Sequence, residues 1–372
     1  MGSEGFDILW VVLVVGLRLV VPLFIPRFPL PGIIASLVID AVDKSVLERF
    51  TGVDLDRYQT WDKALDIYYL AIAYLAVLRN WTNGFAARVA RFLWYFRLVG
   101  VVLFELFESR VLLFVFPNVF EFFVIAVECV RLGWDPRRLS RSRILWMVAF
   151  IWIVIKLPQE WWIHVAKLDF TDFVQETLFG IEPGSPWVDT FTNRPLVLFA
   201  ILVLFAALGW IAAVLWRRRP PQDWPLHVDA DRPLPAGSGI DAHGPRLAHP
   251  VVEKIALTSL VAIIFAQLLQ LGASNLQVLS AAAVVVFVDL ALAALAVRFA
   301  GRDVLGGAAP AVELAVMTVV SSVVISVFAL LVADGRIDRP AALFFGFLLA
   351  LLITLYDRYR AHRLAWIERV AP

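Results

Sequence analysis

Long apolar runs alternate with short polar connections along this chain, and ten of the runs approach the length of a membrane crossing. About 20 apolar helical residues span ~30 Å of hydrocarbon. On that basis residues 6–25, 64–79, 92–108, 110–130, 144–163, 195–216, 253–271, 276–298, 311–332 and 341–357 read as membrane helices. An eleventh stretch, Leu30 to Leu47, is broken by Asp40, Asp43 and Lys44, with Pro29 and Pro31 at its start. It fits a short span packed inside the protein, a re-entrant segment or an interfacial helix. The pattern predicts an all-α, polytopic integral membrane protein with ten or eleven membrane helices. Inside 144–163, Pro158 removes a backbone donor and is expected to kink the helix near its end.

Composition agrees with lipid as the main solvent. The 372 residues are 61% hydrophobic and 17% charged, with mean hydropathy +0.79, whereas soluble domains carry about 25% charged residues. The net charge of +1 offers no electrostatic footprint for nucleic acid. The single cysteine, Cys129, excludes an intrachain disulfide, a multi-thiolate zinc site and a CxxC redox pair. Met1 to Asp7 carries two acids and no basic residue, and no small-residue cleavage site follows, so the first run is expected to remain as a span. No GxxxxGK[ST], HExxH or GxSxG motif is present, which argues against nucleotide-driven pumping by this chain, zincin chemistry and a nucleophile elbow.

Arginine placement orients the spans, because connections retained in the cytoplasm accumulate Arg and Lys. Arg79, Arg88 and Arg91 flank one connection, Arg131, Arg137, Arg138, Arg141 and Arg143 crowd the next, and Arg217 to Arg219 end the span at Trp216. All are expected inside, together with Arg298, Arg302 and the basic C-terminal tail. Residues 157–194, rich in Asp and Glu, are then outside. The N-terminus is outside if Leu30 to Leu47 crosses and inside if it does not. The excess of Arg over Lys, with abundant Ala and Val, fits a GC-rich bacterium and hence its inner (plasma) membrane.

Composition also divides the chain. Residues 1–216 form a module rich in Trp and Phe, 217–250 a Pro-rich segment expected to be a flexible cytoplasmic linker, and 251–372 a simpler four-span bundle. His227, His243 and His249 in the linker match no structural metal site.

The chemistry-bearing residues are acids. Asp40 and Asp43 are three apart, and Asp62 and Asp66 are four apart at the start of the next span. Either spacing puts both carboxylates on one helix face. Two such faces meeting would gather four negative charges, a cost that Mg²⁺ or Mn²⁺ would offset, since both prefer carboxylate oxygens. Capping and ion pairing with Lys44 and Lys63 is the structural alternative. The DxxD and DxxxD pairs resemble the acidic motif of the CDP-alcohol phosphotransferases, across about 27 residues. That family's motif glycines and Ala-Arg pair are replaced here by Lys44, Tyr58 and Leu47-Glu48. The resemblance implies a metal-dependent membrane transferase, with Asp40, Asp43, Asp62 and Asp66 as metal ligands. That family works at the cytoplasmic face, whereas the arginine pattern places Asp62 outside, where a lipid-linked phosphate is the coherent substrate.

A second candidate is Glu160-Trp-Trp-Ile-His164, whose spacing puts a carboxylate and an imidazole on one face for metal ligation, for acid-base work, or for an interfacial hydrogen bond. Arg18, Arg97, Glu105, Glu121, Glu128 and Asp289 lie deep in spans, where an isolated charge costs ~2.5–3.5 kcal/mol, so they are expected to pair with one another. Arg97 with Glu121 or Glu128 is one such pair. Asp289 has no evident partner and is the best acid for carrying an ion or proton, unless it is hydrogen-bonded to Ser321, Ser322 or Ser326. Three functions stay open: a membrane-embedded enzyme acting on a lipid-linked phosphate, an ion- or proton-coupled transporter or channel subunit using Asp289, Glu121 and Glu128, and a non-catalytic scaffold. Membrane lipids are partners in each.

Overall fold

A computed structural model describes residues 3–51, 58–166, 170–182, 185, 191–219, 221–223, 228–231, 250–268, 273–300, 310–332 and 339–370. These residues contain helices and no strand. Among the described residues five helices are long and apolar enough to cross a membrane, at Asp7–Phe24, Val111–Arg131, Arg141–Ile163, Pro250–Gln267 and Asn275–Leu295. Shorter apolar stretches lie at Pro195–Ile211 and Val312–Val327. The chain is an all-α polytopic membrane protein. Its surface agrees: helix Pro195–Arg217 exposes Leu196, Phe199, Phe205 and Trp210, side chains that lipid, not water, solvates.

The first three helices make the frame of the site. Helix α1 (Ser3–Val20) continues as a 3₁₀ turn to Phe24 and reverses at Ile25–Phe28 into α2 (Pro29–Phe50). The reversal needs Gly32, because a Cβ there would lie 2.9 Å from the Ile25 Cα. The stretch expected to be re-entrant, interfacial or a short packed span is a continuous 22-residue helix in contact with its neighbours. Helix α3 (Tyr58–Asn80) packs against both. Its residues from Ile67 to Leu78 are all buried, so it is enclosed by protein on every side.

Around this frame, α4 (Gly84–Phe107) begins at Asn83, whose side chain accepts from the Phe85 and Ala86 amides. The expected span 110–130 is broken into α5 (Val111–Val115) and α6 (Val119–Arg131). Pro117 has no amide to continue a helix and disfavours helical geometry at Phe116, and Asn118 restarts the chain by capping α6 at Glu121 N. Helix α7 (Arg141–Phe150) runs on through a π-helical segment Ile151–Lys156, a short α turn Leu157–Glu160 holding Pro158, and a second π segment Trp161–Val165. The expected proline disturbance is therefore met by wider turns on both sides of Pro158.

The C-terminal helices are α8 (Pro195–Arg217), α9 (Pro250–Leu268), α10 (Asn275–Ala300), α11 (Pro310–Val332) and α12 (Arg339–Val370). Helix α9 packs on α3, α4, α10 and α12, and α12 on α3 and α11. Residues on either side of the Pro-rich segment therefore share one buried core, from Ile25 to Tyr356.

Two pieces of that segment are docked. Asp223 pairs with Arg138 and accepts from the Asp135 amide at 3.0 Å. Asp229 bonds Arg27 at 3.1 Å, Asp231 pairs with Arg79, and Ala230 N donates to Arg27 O at 2.7 Å. The α1–α2 turn, the end of α3 and the α6–α7 connection therefore meet at one end of the bundle. In that α6–α7 connection, burial works to raise the Asp135 carboxyl, but the Arg137 hydrogen bonds and the charges of Arg137 and Arg138 hold it below the usual carboxylate range.

Candidate functional site

Four aspartates from two helices close on one arginine from a third. Helix α2 contributes Asp40 and Asp43, α3 contributes Asp62 and Asp66, and the Arg18 guanidinium of α1 reaches all four. Arg18 Nη2 lies 2.5 Å from Asp40 and 2.7 Å from Asp66. Its Nη1 lies 3.0 Å from Asp62 and also contacts Asp43. Each amino group thus bridges α2 to α3. Tyr68 OH donates to Leu19 O at 2.8 Å, which fixes α1 against α3 one residue from Arg18.

The arginine was expected to pair with another of the deep groups named above; it instead takes the two acidic pairs. The reason is geometric, since Arg18 stands near the end of α1, level with the middle of α2 and the beginning of α3. At 1.5 Å per residue, Asp66 is about 20 Å from the Arg79 end of α3. The cluster thus lies in the half of the bundle away from the docked linker.

One positive charge cannot balance four negative ones. Two carboxylates about 4 Å apart repel by ~4 kcal/mol at an effective dielectric of 20, and carboxylate oxygens of Asp40, Asp62 and Asp66 lie within 4.8 Å of one another. Burial divides the group: the Asp43 side chain is 2% exposed, whereas Asp40, Asp62 and Asp66 are 23%, 32% and 24% exposed. Arg18 and Asp43 form the closed floor, and the other three acids form a mouth that a cation can reach.

A polar chain continues from the mouth into the protein. Tyr69, one helical turn beyond Asp66, donates its hydroxyl to Glu121. Asn118 Nδ2 donates to the other Glu121 oxygen at 2.9 Å, and Asn118 N donates to Glu160 at 3.3 Å. Glu160 is buried. Its expected companion His164 has a side chain outside the described residues, as does Lys63, so the Glu160/His164 pairing has no geometry here. Lys44 contributes its backbone amide to Asp43 at 2.5 Å.

The other deep groups take partners different from those expected. Glu121 bonds Tyr69 and Asn118, while Glu128 bonds Arg131 at 2.7 Å and Trp81 Nε1 at 2.6 Å. Arg97 donates instead to Phe116 O at 3.0 Å. Asp289 pairs with Lys254, which also holds Asp357 at 2.5 Å. Its expected serine partners are engaged elsewhere or unpartnered: Ser326 bonds Ser322 O at 2.7 Å, and the Ser321 and Ser322 hydroxyls have no acceptor among the described residues.

No family model, curated protein or solved structure matches the chain.

Proposed function

We propose that the protein is a membrane-embedded enzyme that uses a divalent cation, Mg²⁺ or Mn²⁺, at Asp40, Asp62 and Asp66 to act on the phosphate of a lipid-linked substrate, in the manner of a transferase. One observation carries this reading: three partly open carboxylates converge within 4.8 Å above a buried Arg18–Asp43 floor. A bound divalent ion would offset their repulsion and act as a Lewis acid on phosphate oxygens. Arg18 would hold the acids in register, and Glu160 with Tyr69 and Glu121 would form a route for a proton. The DxxD and DxxxD spacing supports the same chemistry by its resemblance to the CDP-alcohol phosphotransferases. On the arginine pattern, with α2 crossing, we place the linker and C-terminus in the cytoplasm of a bacterium and the N-terminus and the acidic mouth at the outer half of the plasma membrane. The transport reading has less support, because its main acid, Asp289, is held by Lys254.

Thermal melting of the detergent-purified protein tests the cation site. A ligand of the folded state stabilises by about 2.7 kcal/mol at one hundred times its Kd. Mg²⁺ or Mn²⁺ should raise the wild-type Tm and leave Asp66→Asn unmoved. A wild type indifferent to both ions would remove the metal reading.

A further inference from the structure

We infer that the seam between α4 and α7 binds an anionic phospholipid, with the headgroup phosphate on Arg88 and Arg141 and an acyl chain along Phe92 and Leu145. The site is separate from the Arg18 cluster and does not rest on a cation there. Both helices start at the end of the bundle where the linker pieces dock. Asn83, the cap of α4, donates from Nδ2 to the Pro136 and Leu139 carbonyls at 2.9 and 3.2 Å, in the connection that leads into α7. From there α4 and α7 run side by side. The Arg141 guanidinium lies 5.6 Å from the centroid of the Phe85 ring, and three turns further along each helix the Phe96 and Trp152 rings are 5.1 Å apart. Arg88, one turn into α4, lies 5.7 Å from the same Phe85 ring. One ring face thus gathers two exposed guanidinium groups at the mouth of the seam.

The acids at this end already have partners. Glu128 pairs with Arg131, Asp135 with Arg137 and Asp223 with Arg138. Arg141 and its exposed neighbour Arg143 make no ion pair with a described residue. The same place is the N-terminus of α7, capped by Ser140, and the helix dipole there favours an anion as the arginines do. Beyond the cations the seam turns apolar. Phe92 lies on the α4 face that carries Phe85, and Leu145 on the α7 face that carries Arg141; both are exposed, as is Trp146. A phosphate accepts from guanidinium groups in a forked geometry, and an acyl chain covers the side chains next to it. A soluble anion would leave the apolar seam uncovered, and a zwitterionic headgroup brings an ammonium that clustered arginines repel. An anionic phospholipid matches both the charge and the apolar surface.

Native mass spectrometry of the full chain, titrated in detergent with phosphatidylglycerol or phosphatidylcholine, reads the affinity for each. Wild type should retain phosphatidylglycerol in preference to phosphatidylcholine. Arg88→Gln/Arg141→Gln should bind it about 30-fold more weakly, from the usual contribution of two arginines near an anionic headgroup. Arg141→Gln alone, which breaks no ion pair with a described residue, should keep the wild-type Tm and weaken binding about five-fold. Arg217→Gln/Arg218→Gln removes the same charge from exposed positions at the end of α8 and should leave the affinity unchanged. Equal affinity of wild type for the two lipids, or equal losses in the two double variants, would overturn the site. Complete displacement of the lipid by inorganic phosphate would overturn a phospholipid as its occupant.

Discussion

Arg18 and Asp43 face each other with both side chains almost fully enclosed, at 3% and 2% exposure, while the same guanidinium also holds three acids that remain partly open. Breaking a buried pair costs more than never forming one, because the survivor is left charged and unpaired. The pair therefore ties α1 to α2, and the open acids answer to whatever enters the mouth.

Removing Arg18 should be the most damaging change in the cluster. Arg18→Leu leaves four carboxylates without a cation, and a loss of about 3–5 kcal/mol is expected. Asp43→Asn should also destabilise, and by more than Asp62→Asn, whose carboxylate is a third exposed. Denaturant or thermal unfolding in detergent checks the order; equal effects would contradict the closed-floor geometry.

Asp40→Asn should behave in the opposite way. In a chelator, an amide in place of the Asp40 carboxylate relieves repulsion and can donate to Asp66, so stability should rise by ~1 kcal/mol. The same variant should lose its response to Mn²⁺. A destabilised Asp40→Asn in chelator would mean that the carboxylates are balanced without a cation.

Tyr69→Phe separates the polar chain from the acidic mouth. It leaves a buried Glu121 oxygen without its hydroxyl donor, at a cost of about 1–3 kcal/mol, while the Mn²⁺ response stays intact. Loss of that response would place Tyr69 in the cation site itself.

Asp135 supplies a pH dependence outside the membrane. Its folded pKa is depressed, so its contribution is complete above the unfolded value near ~3.9 and is lost as pH falls through the lower folded value. Wild type should therefore exceed Asp135→Asn by a constant margin above about pH 5, and the margin should shrink below about pH 4. A margin independent of pH in this range would contradict the Arg137 pairing.

Lys254→Met tests the reassignment of Asp289. It leaves Asp289 and Asp357 unpaired and should cost about 3–5 kcal/mol, with Asp289→Asn considerably milder. Equal, small effects would return Asp289 to the state of a free acid.

Apolar run length made the helices legible, because lipid leaves few ways to satisfy a backbone. Among the described residues each expected stretch contains helix, with 110–130 in two pieces, and the acidic pairs on α2 and α3 show the shared faces that their spacing requires. What the pattern did not carry was pairing across distance. Arg18 is the lone basic residue in the first run, a signal that something must neutralise it, but hydropathy does not say which helix lies beside it. Asp289 and Lys254 are 35 residues apart on different helices, and only packing joins them. The break at Phe116–Asn118 had a local signal in Pro117, overridden by the apolar run around it.

Electron paramagnetic resonance of Mn²⁺ titrated into the purified full-length protein tests the central claim most directly. The account predicts that wild type removes free-ion signal at a saturable site, and that Asp40→Asn and Asp66→Asn each abolish it. A free-ion signal unchanged by wild type, or uptake that survives both substitutions, would contradict a cation site at the Arg18 cluster.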